Sequence, residues 1–427
     1  MGKYVINGGK SLHGDIHISG AKNAAVAIIP ASILAQDEVI LENIPQVSDV
    51  DTIIDILRYM NAEVSYIDET TIKINTKNVE NKPVPNEFTN KLRAGYYLIG
   101  ILLARFNHAD VGMPGGCNFG TRPIDLHLKG FELLNADVQV TQDACDQPSQ
   151  IKVTADDLIG SSVYLGYASV GATINIMLAA VRAKGLTIIE GAAKEPHIVD
   201  LANFLNSMGA DVRGAGTDVI KIRGVSELHG CTYSIIPDQI EAGTYMVAAT
   251  ACGGDVRIKN VIPKHLESIS AKLRAAGALV IEDEDDESVR VFRTQNLTSC
   301  NVKTNVHPGF PTDMQPQITA LLTLAEGDSK ITESVWEQRF QYINQLEKLG
   351  AEIKIVDNKE IVVTGVSELN GTTVSATDLR AGAAMVIAGM AAKGTTTVLN
   401  IKYIERGYEK IVEKLRNVGA DIQRVDD

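Results

Sequence analysis

Little in this sequence points to a membrane, a metal or an oxidising compartment. Its 427 residues hold only five cysteines, at positions 117, 145, 231, 252 and 300. The number is odd, the spacings are wide and no CxxC pair occurs, which argues against a disulfide framework and against a structural zinc site. The eight histidines show no HxH or HExxH spacing, so no metal is expected. The longest apolar runs, such as AAMVIAGMAA at 383–392, fall short of the roughly 20 residues needed to cross a bilayer. The opening MGKYVINGGK has no apolar h-region, and the expectation is a cytoplasmic protein without a secretory signal. Positive charge is in deficit: 40 Lys and Arg against 53 Asp and Glu give a net charge of −13. Such a surface repels nucleic acid and anionic lipid, so neither is expected as a partner. It also repels a small anion unless cations gather at one place.

What is present is an ordinary globular composition, 45% apolar and 22% charged. The length suits roughly two or three domains. A phrase recurs along it: LRYMNAEV, FELLNADV, LNSMGADV, LRAAGALV, LEKLGAEI and LRNVGADI. The shared alanines are Ala62, Ala136, Ala210, Ala278, Ala351 and Ala420, at steps of 68 to 74 residues. Each phrase reads as an amphipathic helix, a Gly or Asn suited to a left-handed C-cap, then a strand. A second helix opens 36 to 43 residues before each alanine, in AKNAA, LRAGY, VGATI, IEAGT, MQPQI and LRAGA. The spacing fits six βαβ-type modules, three to a domain. The expected first domain is 22–232. The expected second is 1–21 together with 233–427, with the N-terminal strand pairing back onto it.

The helix-start slot carries Lys22, Arg93, Gly171, Glu241, Gln315 and Arg380. It is cationic in modules one, two and six only. Helix N-termini already favour anions, so added charge at some starts marks an anion site at one place on a pseudo-symmetric frame. The stretch MPGGCNFGTRP is a second oddity. Cys117 sits among glycines with Arg122 five residues on, and a nearby cation lowers a thiol pKa. The other four cysteines read as buried apolar residues. From the residues alone, Asp313 in FPTDMQ suits either a helix N-cap or a base.

SGAKNAA (19–25), PGGCNFGTRPIDLH (114–127), SVGATINIM (169–177), HPGFPTDMQ (307–315) and IERGYE (404–409) carry a close resemblance to the enolpyruvyl transferase family. They resemble the branch that acts on UDP-N-acetylglucosamine; the shikimate branch lacks the cysteine loop. The resemblance implies a two-domain inverse α/β barrel with the active site in the interdomain cleft. It implies transfer of the enolpyruvyl group of phosphoenolpyruvate to the 3′-hydroxyl of UDP-N-acetylglucosamine, the first committed step of peptidoglycan synthesis, with no cofactor and no obligatory protein partner. Phosphoenolpyruvate would be held by Lys22, Asn23, Arg122, Arg380 and Arg406, with Asp378 beside the last two. The sugar nucleotide would meet Asn23, Arg93, Arg122, Pro123, Ile124, Asp125, Leu126, Ser169, Val170, Asp313 and Val335. Catalysis would fall to Cys117, as general acid, as covalent partner of phosphoenolpyruvate or as product-release gate, and to Asp313, as base or orienting group, with Lys22 and Arg406. Where many family members carry a lysine near the diphosphate, this chain has Tyr167, so nucleotide binding would lean more on backbone N–H groups.

Overall fold

The computed structural model describes residues 2–90, 92–113, 124–142, 148–293 and 295–426. The expectations for Cys117, Arg122 and Pro123 lie outside the described residues, as does Cys145.

Each recurring phrase ends a helix and turns the chain into a strand. The residues before the six alanines, Asn61, Asn135, Gly209, Gly277, Gly350 and Gly419, all have positive φ, 71–73° for Asn and 97–100° for Gly. Gly and Asn adopt this region at least cost. The turn lets the next N–H reach back to a carbonyl of the last helical turn, as in Ala62 N–H to Leu57 O at 2.9 Å and Ala420 N–H to Leu415 O at 3.0 Å. That closure is the physical reason the phrase recurs.

The described strands form five four-stranded sheets and one three-stranded sheet with a common pattern. In one, Thr232–Ser234 runs parallel to Glu38–Glu42, which pairs antiparallel with Ile72–Asn75, itself antiparallel to Glu63–Tyr66. The three-stranded sheet joins His108–Gly112, Pro148–Thr154 and Asp137–Gln142, and an isolated parallel bridge from Val84 to Val111 stands where the others have an edge strand. Burial alternates along the central strands, as in Glu360–Thr364, so one face packs inward and the other meets water.

Six helices are buried on nearly every side: Lys22–Ala31, Tyr97–Phe106, Val170–Ala180, Gln239–Cys252, Gln315–Leu322 and Leu379–Ala391. Their sequences are mostly apolar, as buried helices require, with a few buried polar residues such as Glu241, Gln317 and Arg380. Others, such as Ser48–Tyr59 and Glu267–Ala275, bury one face only. Helices inside and sheets outside make an inverse α/β barrel.

The described residues divide into two compact units, 20–236 and 1–19 with 237–427. Each has its own apolar core and three of the six sheets. Strand Thr232–Ser234, which a boundary at 232 would cut, belongs to the first unit because it pairs with Ile40–Glu42. The second unit recruits the start of the chain. Lys3–Asn7 lies antiparallel to both Thr395–Leu399 and Asp421–Val425, and Leu12–His17 lies parallel to Gly254–Lys259.

Candidate active site

In unit 20–236 the expected site residues lie at helix starts. Lys22 opens its helix, and its Nζ lies 2.7 Å from Asp49 Oδ2 in the first turn of Ser48–Tyr59. The side chains are 14% and 4% exposed, so water screens this pair far less than a surface pair. Asn23 is half-buried beside it. Arg93 begins the 3-10 turn Arg93–Tyr96, which leads into the buried helix Tyr97–Phe106. Ile124 stands at the N-cap of Asp125–Leu133, with exposed Asp125 and half-buried Leu126 in its first turn. Ser169 caps Val170–Ala180, its hydroxyl oxygen accepting the Ala172 N–H at 3.3 Å, and Val170 is half-buried. This helix start offers backbone donors and the positive end of a dipole. Tyr167 nearby is exposed; slight desolvation and the charge of Asp125 push its hydroxyl pKa up.

A buried polar bolt ties these starts together. The rings of Tyr96 and His127 meet edge to face at 4.8 Å. Asn175 Nδ2 donates to the Tyr96 carbonyl at 2.9 Å and lies 3.0 Å from His127 Nδ1, while Asn175 Oδ1 accepts the Gly100 N–H at 2.9 Å. A Cβ on Gly171 would stand 2.7 Å from the Tyr96 hydroxyl and 2.8 Å from His127 Cε1. The slot that is cationic in module two is therefore glycine in module three because its neighbours fill the space.

In the other unit, Asp313 is the middle residue of the 3-10 turn Thr312–Met314. Its Oδ1 lies 3.3 Å from Arg339 Nη2, and its Oδ2 lies 3.3 Å from both Nη2 and Nε of Arg380. The arginine side chains are 2% and 4% exposed and the aspartate 31%. The N-cap reading of Asp313 does not hold: Met314 occupies the N-cap of Gln315–Leu322, and the Asp313 oxygens turn to the arginines. Asp378 is the residue that caps, its Oδ1 accepting the N–H groups of Arg380 at 2.9 Å and Ala381 at 3.1 Å. Arg380 lies 5.4 Å over the Tyr408 ring. Burial opposes its charge, yet Tyr408, Asp313 and Asp238 hold its pKa above the ordinary arginine value. Its Nη1 is buried with no hydrogen-bond partner among the described residues, a donor suited to an anion's oxygen. Val335 is half-buried, and its N–H donates to Glu333 Oε1 at 2.8 Å. Arg406 is half-buried just beyond the 3-10 turn Ile401–Tyr403.

The fold thus brings Asp313 against Arg380, and sets Asp49, Arg339 and Tyr408 beside expected residues, a role that sequence reasoning missed. IERGYE had flagged the neighbourhood of Tyr408; Asp49 and Arg339 had no local signal. The fourth-module slot, Glu241, is buried and holds Lys414 Nζ at 2.6 Å. Cys231, Cys252 and Cys300 are half-buried at the core margins rather than fully buried, and burial raises each thiol pKa, that of Cys252 to about 12. Among the described residues no group of three or more His, Cys, Asp or Glu side chains gathers to hold a metal, and no helix is long and apolar enough to cross a membrane.

The family described as EPSP synthase (3-phosphoshikimate 1-carboxyvinyltransferase) matches residues 6–415. A UDP-N-acetylglucosamine 1-carboxyvinyltransferase of Clostridium botulinum is 52% identical over 426 residues, covering 100% of both chains. A UDP-N-acetylglucosamine 1-carboxyvinyltransferase 2 of Listeria monocytogenes is 51% identical over 99% of this chain and 97% of its own. The solved enolpyruvyl transferase NikO from Streptomyces tendae superposes with a TM-score of 0.88 at 26% identity, over 99% of each chain. An EPSP synthase from Acinetobacter baumannii superposes at 0.75 with 18% identity over the whole of both chains, a likeness of fold alone.

Proposed function

The chain belongs to the enolpyruvyl transferase family, and from that premise we infer the reaction its site serves. It transfers the enolpyruvyl group of phosphoenolpyruvate to the 3′-hydroxyl of UDP-N-acetylglucosamine and releases phosphate, the first committed step of peptidoglycan synthesis. The observation that carries this reading is identity of about one half, end to end, with relatives that bear that activity's name. The family description alone leaves shikimate 3-phosphate as the rival acceptor.

In this reading the site residues act on one pair of substrates, in the cytoplasm. Lys22, Asn23, Arg122, Arg380 and Arg406 take the phosphate and carboxylate of phosphoenolpyruvate, arginine suiting both because its planar fork pairs with two oxygens at once. Arg93, Arg122 to Leu126, Ser169, Val170 and Val335 hold the sugar nucleotide. The acceptor hydroxyl gives its proton toward Asp313 and its oxygen bonds to C2, while C3 takes a proton from Cys117. The tetrahedral ketal then loses phosphate as a proton leaves C3, restoring the enol ether. The two arginines behind Asp313 fix where its oxygens point.

The test is phosphate release by the purified chain. Release requiring both phosphoenolpyruvate and UDP-N-acetylglucosamine is expected. No release would sink the enzyme reading, and equal release with shikimate 3-phosphate would sink the choice of acceptor.

A further inference from the structure

We propose that Glu333 is a positioning residue for the acceptor sugar, acting through Thr312 and the Val335 backbone. The proposal rests on the acceptor roles given above to Asp313 and Val335.

Glu333 follows strand Asp328–Thr332 and is fully buried. Its carboxylate accepts four hydrogen bonds, every one from an uncharged donor. Oε1 takes the Thr304 hydroxyl at 2.8 Å and the N–H groups of Val335 at 2.8 Å and Trp336 at 3.1 Å. Oε2 takes the Thr312 hydroxyl at 3.0 Å. The backbone adds to the knot: Glu333 N–H donates to Lys359 O at 2.7 Å, and Ser334 N–H donates to Thr304 Oγ1 at 2.9 Å. One side chain therefore joins two segments far apart in sequence, each bearing a residue assigned to the acceptor. Thr312 is the neighbour of Asp313 in a three-residue turn, and Val335 is bonded directly.

Among the described residues no cation bonds to this carboxylate; burying it so costs desolvation energy, and a purely structural tie at such a place is often met as well by neutral residues. What an ionised acceptor adds is short, directional, charge-assisted bonds, which hold donors more tightly than neutral ones. Tight placement of a base relative to its hydroxyl matters to rate, because an offset of about 1 Å lowers turnover steeply. Arg380 is fixed by other means as well, through the cap at Asp378 and the ring of Tyr408. Glu333 should therefore act on the acceptor end more than on phosphoenolpyruvate.

Glu333→Ala would strand four donors and confuse folding with function, so the test uses Thr312. Thr312→Val keeps the shape and removes the one donor linking the Asp313 turn to Glu333, while Thr312→Ser keeps that donor. Steady-state phosphate release with each substrate varied, together with thermal melting, separates the cases. In Thr312→Val the kcat/KM for UDP-N-acetylglucosamine is expected to fall about tenfold, the size of one lost hydrogen bond to a charged group, with the KM for phosphoenolpyruvate within about twofold. Thr312→Ser should recover to within about twofold of wild type. Unchanged kinetics in Thr312→Val would overturn the proposal. So would equal losses for both substrates with a lowered melting point and no rescue by serine. A wild-type chain that releases no phosphate would instead overturn the acceptor reading itself, and this proposal with it.

Discussion

In unit 20–236, Lys22 meets Asp49 with the carboxylate hidden, 4% exposed, and the lysine more open at 14%. In the other unit Asp313 is the open group, 31% exposed, and its partners Arg339 and Arg380 are hidden at 2% and 4%. The two arrangements are mirror images in charge. One unit turns a cation outward over a buried anion; the other turns an anion outward over buried cations. The choice of cation differs too. Lysine is a compact charge on a flexible stem, while arginine is a rigid fork that can grip a carboxylate and stack on a ring together. In the proposed reaction Lys22 is the cation that meets the arriving anion. Arg380, clasping Asp313 and lying over Tyr408, is built to hold a carboxylate still.

The sharpest way to break this contrast is to neutralise each carboxylate in turn. Asp313→Asn should lower kcat by about 10²- to 10⁴-fold, the range of a lost general base, with smaller changes in substrate affinity measured by calorimetry. A kcat within about tenfold of wild type would make Asp313 a spacer rather than a base. Asp49→Asn should do less: the KM for phosphoenolpyruvate rises by about three- to tenfold as Lys22 loses its orienting charge, and kcat holds within about tenfold. A fall in that KM would show that Asp49 competes with substrate instead. A kcat loss equal to that of Asp313→Asn would erase the distinction between the two units.

The smallest effect concerns two buried carboxyls outside the site. Asp200, in unit 20–236, accepts the Tyr233 hydroxyl at 2.6 Å and the Ile236 N–H at 3.3 Å, both neutral donors. Glu241, in the other unit, has Lys414 as partner. Burial pushes the Asp200 pKa up to about 6 against the pull of its two hydrogen bonds. The folded state thus keeps a proton that the unfolded chain loses near pH 4. The stability this contributes is full below about pH 4 and is lost as pH rises to about 6, amounting to at most about 3 kcal/mol. Urea melts of wild type and Asp200→Asn should therefore differ in a pH-dependent way between those limits. A constant difference would show that Asp200 ionises as an exposed carboxyl does.

Much of the fold was legible because its signals are local. The Gly or Asn before each shared alanine reports a left-handed cap, which one residue can announce. The cationic slots at Lys22, Arg93 and Arg380 were legible for the same reason, since a helix start is written within a few residues. Asp49, Arg339 and Glu333 were not legible. Each matters through a partner at least 21 residues away, as with Glu333 and Thr312, and only packing brings such pairs together. Asp313 shows how local reasoning errs. Its position before a helix suited a cap, but a short 3-10 turn intervenes and two buried guanidiniums claim its oxygens. The slot's glycine at 171 had no reading of its own in the sequence; a Cβ there would meet Tyr96 and His127.

The strand exchange at the start of the chain bears on how the protein is made. Unit 20–236 has all its described strands once Thr232–Ser234 has left the ribosome, and domains generally fold in order of synthesis. The strands Lys3–Asn7 and Leu12–His17 precede that unit in the chain, yet their partners come from Gly254–Lys259, Thr395–Leu399 and Asp421–Val425. Lys3–Asn7 thus waits, edges open, while more than the whole of unit 20–236 is made, until Asp421–Val425 arrives to pair with it.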